Sequence, residues 1–323
     1  MKILLKQLNV FFRWLKKEYK MWKNPIDVKF YNHWEGILTE NSPNRLWFYR
    51  FIKNRNIKTS MTFFSVFGFR WFMKFFRGKK VFFTGEYVQK GGITKSLETY
   101  ADNCVNDVNL SMGFDYIKHP NYVRFPLWIL YFVQPEMTFE DLKNRIETIN
   151  NPLYRKNQER TKFCVQMSRH DKNNTRRKMI NLLNKIEQVT CAGIFMNNAD
   201  ELKTKYNDNK VNYLRNFKFN ICPENISAKG YITEKILDAI VGGCIPIYYG
   251  GGKKEWVESN IFNPNAFLYY EEGKEEKLFK EVKKLYSDSE AYNQFIAEPP
   301  FKENATEFIW EKITEIENRL KNL

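Results

Sequence analysis

Residues 217–252 read FKFNICPENISAKGYITEKILDAIVGGCIPIYYGGG. The stretch holds an apolar run, a polar loop, an amphipathic segment and a second apolar run. Residues 217–222 predict a strand and residues 223–230 a loop. Residues 231–241 predict a helix with Ile236, Leu237 and Ile240 as its buried stripe. Gly242-Gly243 would end that helix, and residues 245–249 would form the next strand. Strand, short crossover and strand make a βαβ unit. The polar loop then stands at the carboxyl end of a strand and the positive end of a helix, where α/β sheets seat anionic ligands.

The pattern extends outward. Residues 162–167 (KFCVQM) predict a strand, and a polar loop runs from Ser168 to Asn174. Thr175 would cap a helix carrying Met179, Ile180, Leu182, Leu183 and Ile186 at helical spacing. Further back, residues 27–31 (DVKFY) and 80–83 (KVFF) are short strand candidates. They lead into Asn32-His33-Trp34-Glu35-Gly36 and Thr84-Gly85-Glu86. A third candidate ends near residues 110–114, residues 136–150 read as a helix, and Asn151-Pro152 as a linker. Beyond residue 275 the pattern is helical, broken at Pro299-Pro300. The fold class is α/β, with two consecutive Rossmann-like units suggested. The expected organisation is a basic amphipathic segment at 1–24, a first α/β domain at 25–155, a second at 156–300 and a closing helix at 301–323.

A chain of 323 residues has room for about two such domains. Aromatics make up 17%, including 28 Phe and 18 Tyr, a share that an aromatic-rich core absorbs. The formal charge of +15 favours anionic partners: nucleic acid, acidic lipid or phosphorylated substrates. No nucleic-acid motif accompanies it, so no nucleic-acid partner is expected. Part of the excess is local. Lys2, Lys6, Arg13, Lys16, Lys17, Lys20 and Lys23 stand against a single acid, Glu18, within residues 1–24. Phe11, Phe12, Trp14, Leu15, Tyr19 and Trp22 are interleaved with them. That pattern suits a basic helix on an anionic membrane surface, and equally a solvated helix packed on its own domain. No apolar run reaches the length of a membrane span, and no signal peptide is read. The five cysteines are widely spaced without a CxxC pair, which suits reduced thiols in a cytoplasmic protein. Peripheral attachment to the inner membrane face stays open through residues 1–24.

His33, His119 and His170 lie in separate segments without metal-ligand spacing, so zinc hydrolysis is not expected. The chain has no GxSxG elbow, no P-loop, no GxGxxG and no DxD pair. Asn207-Asp208-Asn209, flanked by Lys205 and Lys210, reads as a solvated turn. Lys235, in the first turn of its helix, opposes the helix dipole and asks for a compensating anion. A bound phosphate would supply one, and Glu234 would then accept the hydroxyls of a ribose. Arg176 and Arg177 occupy the equivalent position of the preceding unit, where a planar guanidinium suits a diphosphate. Glu86, a carboxylate at the end of an apolar strand, suits a general base. Glu234 has a plainer reading as an acid that merely suits the helix dipole, and the others as solvated surface residues.

Glu224-Asn225, then Gly230-Tyr231-Ile232-Thr233-Glu234-Lys235, then Ile245-Pro246-Ile247-Tyr248-Tyr249-Gly250 closely resemble the signature of the α1,3/α1,4-fucosyltransferases, glycosyltransferase family ten, in bacterial form. The likeness runs more loosely through residues 82–86, 113–116, 122–127 and 163–190. It implies a GT-B fold, two Rossmann-like domains facing across a cleft. It implies inverting transfer of L-fucose from GDP-β-L-fucose to the 3- or 4-hydroxyl of GlcNAc, or to glucose, on an oligosaccharide or glycolipid acceptor. By that resemblance Lys235 and Arg176 hold the diphosphate and Glu234 the ribose. Asn225 and Tyr231 line the same donor pocket, and Glu86 is the general base. It implies no obligatory metal or cofactor, with divalent ions left a stimulating role. Pro223 stands where Phe is commoner, Ile226 separates Asn225 from Ser227, and Tyr249 replaces a frequent Trp. The acceptor side, including His33-Trp34-Glu35, matches poorly and leaves the acceptor open. The alternatives are a transferase of another GDP-sugar with the same fold, a basic nucleic-acid-binding protein or a membrane-surface protein.

Overall fold

A computed structural model of the protein describes residues 2–24, 26–33, 43–58, 60–92, 94–156 and 160–323. By internal contacts the chain divides into two units, Met1–Met137 with Glu311–Leu323, and Thr138–Trp310. Among the described residues each unit carries one parallel sheet.

The first sheet contains β1 (Lys29–Tyr31), β2 (Met61–Phe64), β3 (Lys79–Phe83), β4 (Leu110–Gly113) and β5 (Tyr122–Arg124). Every pairing is parallel, and the spatial order is 1-2-3-4-5. Parallel strands are covered on both faces and so favour continuous apolar runs; Val81, Phe82 and Phe83 are all buried. The core is aromatic. Phe30 stacks on Phe63 at 5.0 Å and Trp47 on Phe51 at 4.8 Å, while Phe48 meets both Phe63 and Phe83. The sequence reading passed over β2 and β5, whose runs (MTFF, YVR) are too short to show a period.

The second sheet contains β6 (Lys162–Gln166), β7 (Thr190–Cys191), β8 (Phe217–Ile221), β9 (Ile245–Tyr248) and β10 (Leu268–Tyr269). It is also all parallel, in the order 10-9-8-6-7. The order reverses once, since β7 flanks one side of β6 and β8 the other. Met179 and Leu183 of the Thr175–Leu183 helix and Val282 and Leu285 of the Glu275–Ser287 helix share one core with the strands. The Glu234–Gly242 helix joins β8 to β9 and ends at Gly243, whose φ of 74° is left-handed, as the Gly242-Gly243 pair implied. A Cβ there would lie 2.2 Å from Arg160 Nη2. The buried Arg160 guanidinium donates to Gly242 O at 2.9 Å, satisfying a carbonyl at that helix end, and to Leu214 O at 3.2 Å, at the end of the Lys210–Leu214 helix.

Three local expectations change. The helix after β8 begins at Glu234 rather than residue 231, because Gly230 takes a φ of 81° and the loop continues through Thr233. Thr175 is the first helical residue and not the cap. Asn174 holds the cap position at a φ of 63°, and Asp171 accepts from the Arg176 and Arg177 N–H groups at 3.2 and 2.8 Å. Asn151-Pro152 is not a linker, since Pro152 opens the Pro152–Lys156 helix directly after Phe139–Asn150, and proline suits a first helical position. The expected boundary at 155/156 lies near the start of β6, whereas the contacts divide at Met137 and Thr138. The final helices are Glu275–Ser287, Ser289–Ala297 and Ala305–Lys321, with Pro299-Pro300 in the gap.

All five cysteines are unpaired and buried. Among the described residues no helix is long and apolar enough to cross a membrane.

Candidate functional site

An open α/β sheet leaves a crevice at the carboxyl ends of two neighbouring strands where the strand order reverses. In the second unit that place lies between β6 and β8. The first sheet, with its strands in sequential order, offers no such reversal among the described residues. Gln166 at the end of β6 with Ser168 beyond it, and Ile221 at the end of β8 with Cys222 and Pro223 beyond it, line a crevice with Arg176, Lys210, Glu234, Lys235 and Asp238. Its cavity volume is about 60 Å³.

Beneath Lys235 lies Glu224, 0% exposed. Its Oε1 accepts from the Thr233 N–H at 2.7 Å and the Tyr248 hydroxyl at 3.2 Å. Its Oε2 accepts from the Thr233 hydroxyl at 2.7 Å and from Lys235 Nζ at 2.9 Å. Thr233 is the N-cap of the Glu234–Gly242 helix and makes no side-chain cap of its own. The carboxylate folded in from the loop instead holds the N–H and hydroxyl of that cap residue. It also answers Lys235. A bound phosphate is therefore not needed to balance Lys235, because the protein supplies an anion itself.

Lys235 Nζ donates also to Thr233 Oγ1 at 2.7 Å, and Glu234 Oε1 lies 3.9 Å away. Burial works against the ammonium, but Glu224 and Glu234 outweigh it and hold its pKa well above the ordinary lysine value. An ammonium has three N–H donors; two are committed to Glu224 and Thr233.

Arg176 is 3% exposed, and its Nη2 donates to Pro223 O at 3.2 Å and Asn225 Oδ1 at 2.9 Å. Asn225 O in turn accepts from Asn173 Nδ2 at 3.1 Å, so the loops after β6 and β8 are tied together. Burial pulls the Arg176 pKa below its usual value. Burial opposes the Glu234 carboxylate, but Lys235 and Lys210 hold its pKa below normal, so it is ionised. One helical turn on, burial and the neighbouring Glu234 push Asp238 up to about 7. The two carboxyls thus separate into one charged group and one that titrates near neutrality. Burial, then Arg176, Lys172 and Lys235, lower the pKa of His170. Gln166 Oε1 and Ser168 Oγ, among the described residues, have no hydrogen-bond partner.

Arg176, Asn225, Glu234 and Lys235, all singled out from sequence, converge here. Tyr231 is buried in the loop before the helix, its N–H bonded to Ala228 O at 3.0 Å. Arg177 sets its guanidinium over the Phe195 ring at 5.3 Å. Glu86 belongs to the first unit, half-buried after β3, where its N–H donates to Thr84 Oγ1 at 3.0 Å. Trp34 and Glu35 lie outside the described residues, while His33 is buried. Sequence reasoning missed Glu224 as an anchor, and Lys210 and Asp238 as lining groups. Asp238 had a usable signal, standing four residues after Glu234 and so on the same helix face.

Residues 156–314 match the family model described as "Glycosyltransferase family 10 (fucosyltransferase) C-term". Residues 28–131 match "Alpha-(1,3)-fucosyltransferase FucT N-terminal domain". The chain is 36% identical over 120 residues to Alpha-(1,3)-fucosyltransferase FucT of Helicobacter pylori, covering 36% of this chain and 23% of that protein. It is 32% identical over 105 residues to Alpha-(1,3)-fucosyltransferase B of Drosophila melanogaster, covering 30% of this chain and 21% of that protein. The matched part therefore spans less than a quarter of either relative's length. A crystal structure of an alpha1,3-fucosyltransferase aligns with a TM-score of 0.58 at 21% identity, covering 90% of this chain and 89% of that one. One with GDP-fucose aligns at 0.51 and 23% identity, covering 81% and 79%. At these identities the likeness carries the fold alone, which is GT-B with two Rossmann-like domains.

Proposed function

Because the chain belongs to glycosyltransferase family 10, we propose that it transfers L-fucose from GDP-β-L-fucose to a glycan acceptor, at the 3- or 4-hydroxyl of GlcNAc or on glucose. The observation that carries this reading is the convergence of Arg176, Glu234 and Lys235, with Asn225 held by Arg176, at the strand reversal of the second sheet.

In this reading the diphosphate lies against the Arg176 fork and the uncommitted N–H of Lys235. The ionised Glu234 accepts the ribose hydroxyls. Gln166 Oε1, a buried acceptor on the crevice wall, suits an N–H of the base. The acceptor oxygen attacks C1 in line and inverts it. The C1–O bond to the β-phosphate breaks, GDP departs with the electron pair, and the acceptor proton passes to Glu86. Charge on the departing GDP is neutralised by Lys235, Arg176 and the N-terminus of the Glu234–Gly242 helix. No divalent ion is obligatory in this scheme, so transfer persists in EDTA. Glu224 works indirectly, by fixing where the Lys235 charge stands.

The test is a donor screen of GDP-fucose against GDP-mannose and UDP-sugars, with N-acetyllactosamine, lacto-N-biose and lactose as acceptors. Fucosylated product from GDP-fucose alone is expected. Faster turnover of GDP-mannose or a UDP-sugar would reassign the donor.

A further inference from the structure

The Lys2–Lys23 helix divides its surface, from residue 7 onward, into three sectors. The first is anchored on its own unit. Trp14, Glu18 and Met21 are buried, Trp14 Nε1 donates to Asn32 Oδ1 at 2.9 Å, and Lys17 Nζ donates to His33 O at 2.7 Å. The Trp14 ring meets Phe69 and Phe72 edge-on, both at 4.9 Å. The second sector holds Leu8, Phe12, Leu15, Tyr19 and Trp22, which are 43%, 60%, 43%, 55% and 60% exposed. At 100° per residue these five fall within an arc of about 80°. The third sector adjoins it and holds Arg13, Lys16, Lys20 and Lys23, all exposed. Lys23 Nζ lies over the Trp22 ring at 5.2 Å. Near the anchored sector, Trp71 and Phe75, 45% and 74% exposed, continue the chain of ring contacts from Trp14, with Lys74, Arg77 and Lys79 exposed beside them.

A helix fixed on its own unit by one face has no need of a second apolar face, yet this one lines up five large side chains in water. We propose that this face docks the protein on an anionic phospholipid surface. Phe12, Leu15, Tyr19 and Trp22 enter the boundary between headgroups and acyl chains, where aromatic side chains are favoured. Arg13, Lys16, Lys20 and Lys23 meet the lipid phosphates. The alternating four-and-three spacing of the stripe would also suit pairing with a second copy of the helix. Charge decides against it. The one acid of residues 1–24, Glu18, is buried in the anchored sector, so two copies would set cations against cations. A negative lipid surface is complementary, and the inference stands independently of the donor reading.

The test is flotation of the full chain with phosphatidylcholine vesicles, with and without roughly 30% phosphatidylglycerol, at low and raised salt. Two variants accompany it: Phe12→Ser/Tyr19→Ser/Trp22→Ser, and Lys16→Glu/Lys20→Glu. All five positions are exposed, so each variant is checked for an unchanged melting profile. Expected is salt-sensitive binding to the anionic vesicles, lowered about tenfold or more by either variant. Undiminished binding in both variants would overturn the proposal. So would equal binding to neutral vesicles, or no vesicle binding together with a dimer in solution that the triple variant abolishes.

Discussion

Replacing Glu224 with Gln keeps the side chain's volume and removes one charge from beneath the crevice. Four donors converge on the carboxylate: the Thr233 N–H and hydroxyl, the Tyr248 hydroxyl and Lys235 Nζ. An amide offers one acceptor oxygen and turns an NH₂ toward the rest. Removing one partner of a fully buried ion pair costs about 3–5 kcal/mol. Lys235 is 25% exposed and keeps Glu234 Oε1 at 3.9 Å, so about 2–3 kcal/mol is the better figure after that discount. For a domain of this size each kcal/mol moves the melting point by about 2–4 °C, giving a fall of about 4–12 °C for Glu224→Gln. Calorimetry on the single variant, on Lys235→Met and on the double variant completes the cycle. If the two residues act as a unit, the double variant loses less than the sum of the singles by at least about 1 kcal/mol. A Glu224→Gln protein melting with the parent, or a strictly additive cycle, would refute the idea that Glu224 holds Lys235.

Glu86→Gln should lower kcat by about 10²–10⁴-fold with GDP affinity unchanged by titration calorimetry; a rate close to that of the parent removes it as the base. Asp238, raised to about 7 by burial and Glu234, binds more protons folded than unfolded between its ordinary carboxyl value and neutrality. Its contribution to stability is therefore present below that ordinary value and lost as pH rises through about 7. Asp238→Asn should gain melting temperature over the parent at pH 8 and lose that advantage near pH 4. An anion beside the protonated form is favoured too, so GDP should bind Asp238→Asn about three- to tenfold more tightly than the parent at pH 8, and a constant ratio from pH 6 to 8 would exclude the titration. Gly243→Ala should cost about 1–3 kcal/mol, because the left-handed backbone resists a side chain and the new Cβ meets Arg160; an unchanged melt would show that the guanidinium gives way.

Residues 217–252 disclosed their βαβ unit because every signal in them is local: the apolar stripe of the helix, the Gly pair at its end and the two flanking runs. The unfavourable lysine at the helix start was informative as well. It demanded an anion, and one is there. Its source was hidden because Glu224, eleven residues upstream, reaches Lys235 only through the course of the loop between them. The Arg176 contact with Asn225 spans 49 residues, and the side-by-side placement of β6 and β8 rests on pairing that no local pattern encodes. The strand reversal that makes the crevice was therefore invisible, although Arg176, Glu234 and Lys235 along it were visible as types. At the Thr175 helix the sequence named the wrong cap, because Asp171 reaches forward across a left-handed Asn174. The first 24 residues were read as packed or membrane-facing; the packed half is now plain, and the exposed half is what the vesicle experiment addresses.

Cys104 lies in the first unit, and Cys164, Cys191, Cys222 and Cys244 lie in the second. Burial pushes all five thiols above their ordinary pKa. Alkylating reagents attack the exposed thiolate, so the native chain should stay silent to them at neutral pH. Opening of the first unit would then add a single label and opening of the second up to four. The distribution of masses during a brief alkylation pulse thus reports which unit loosens first, using reporters already in the sequence.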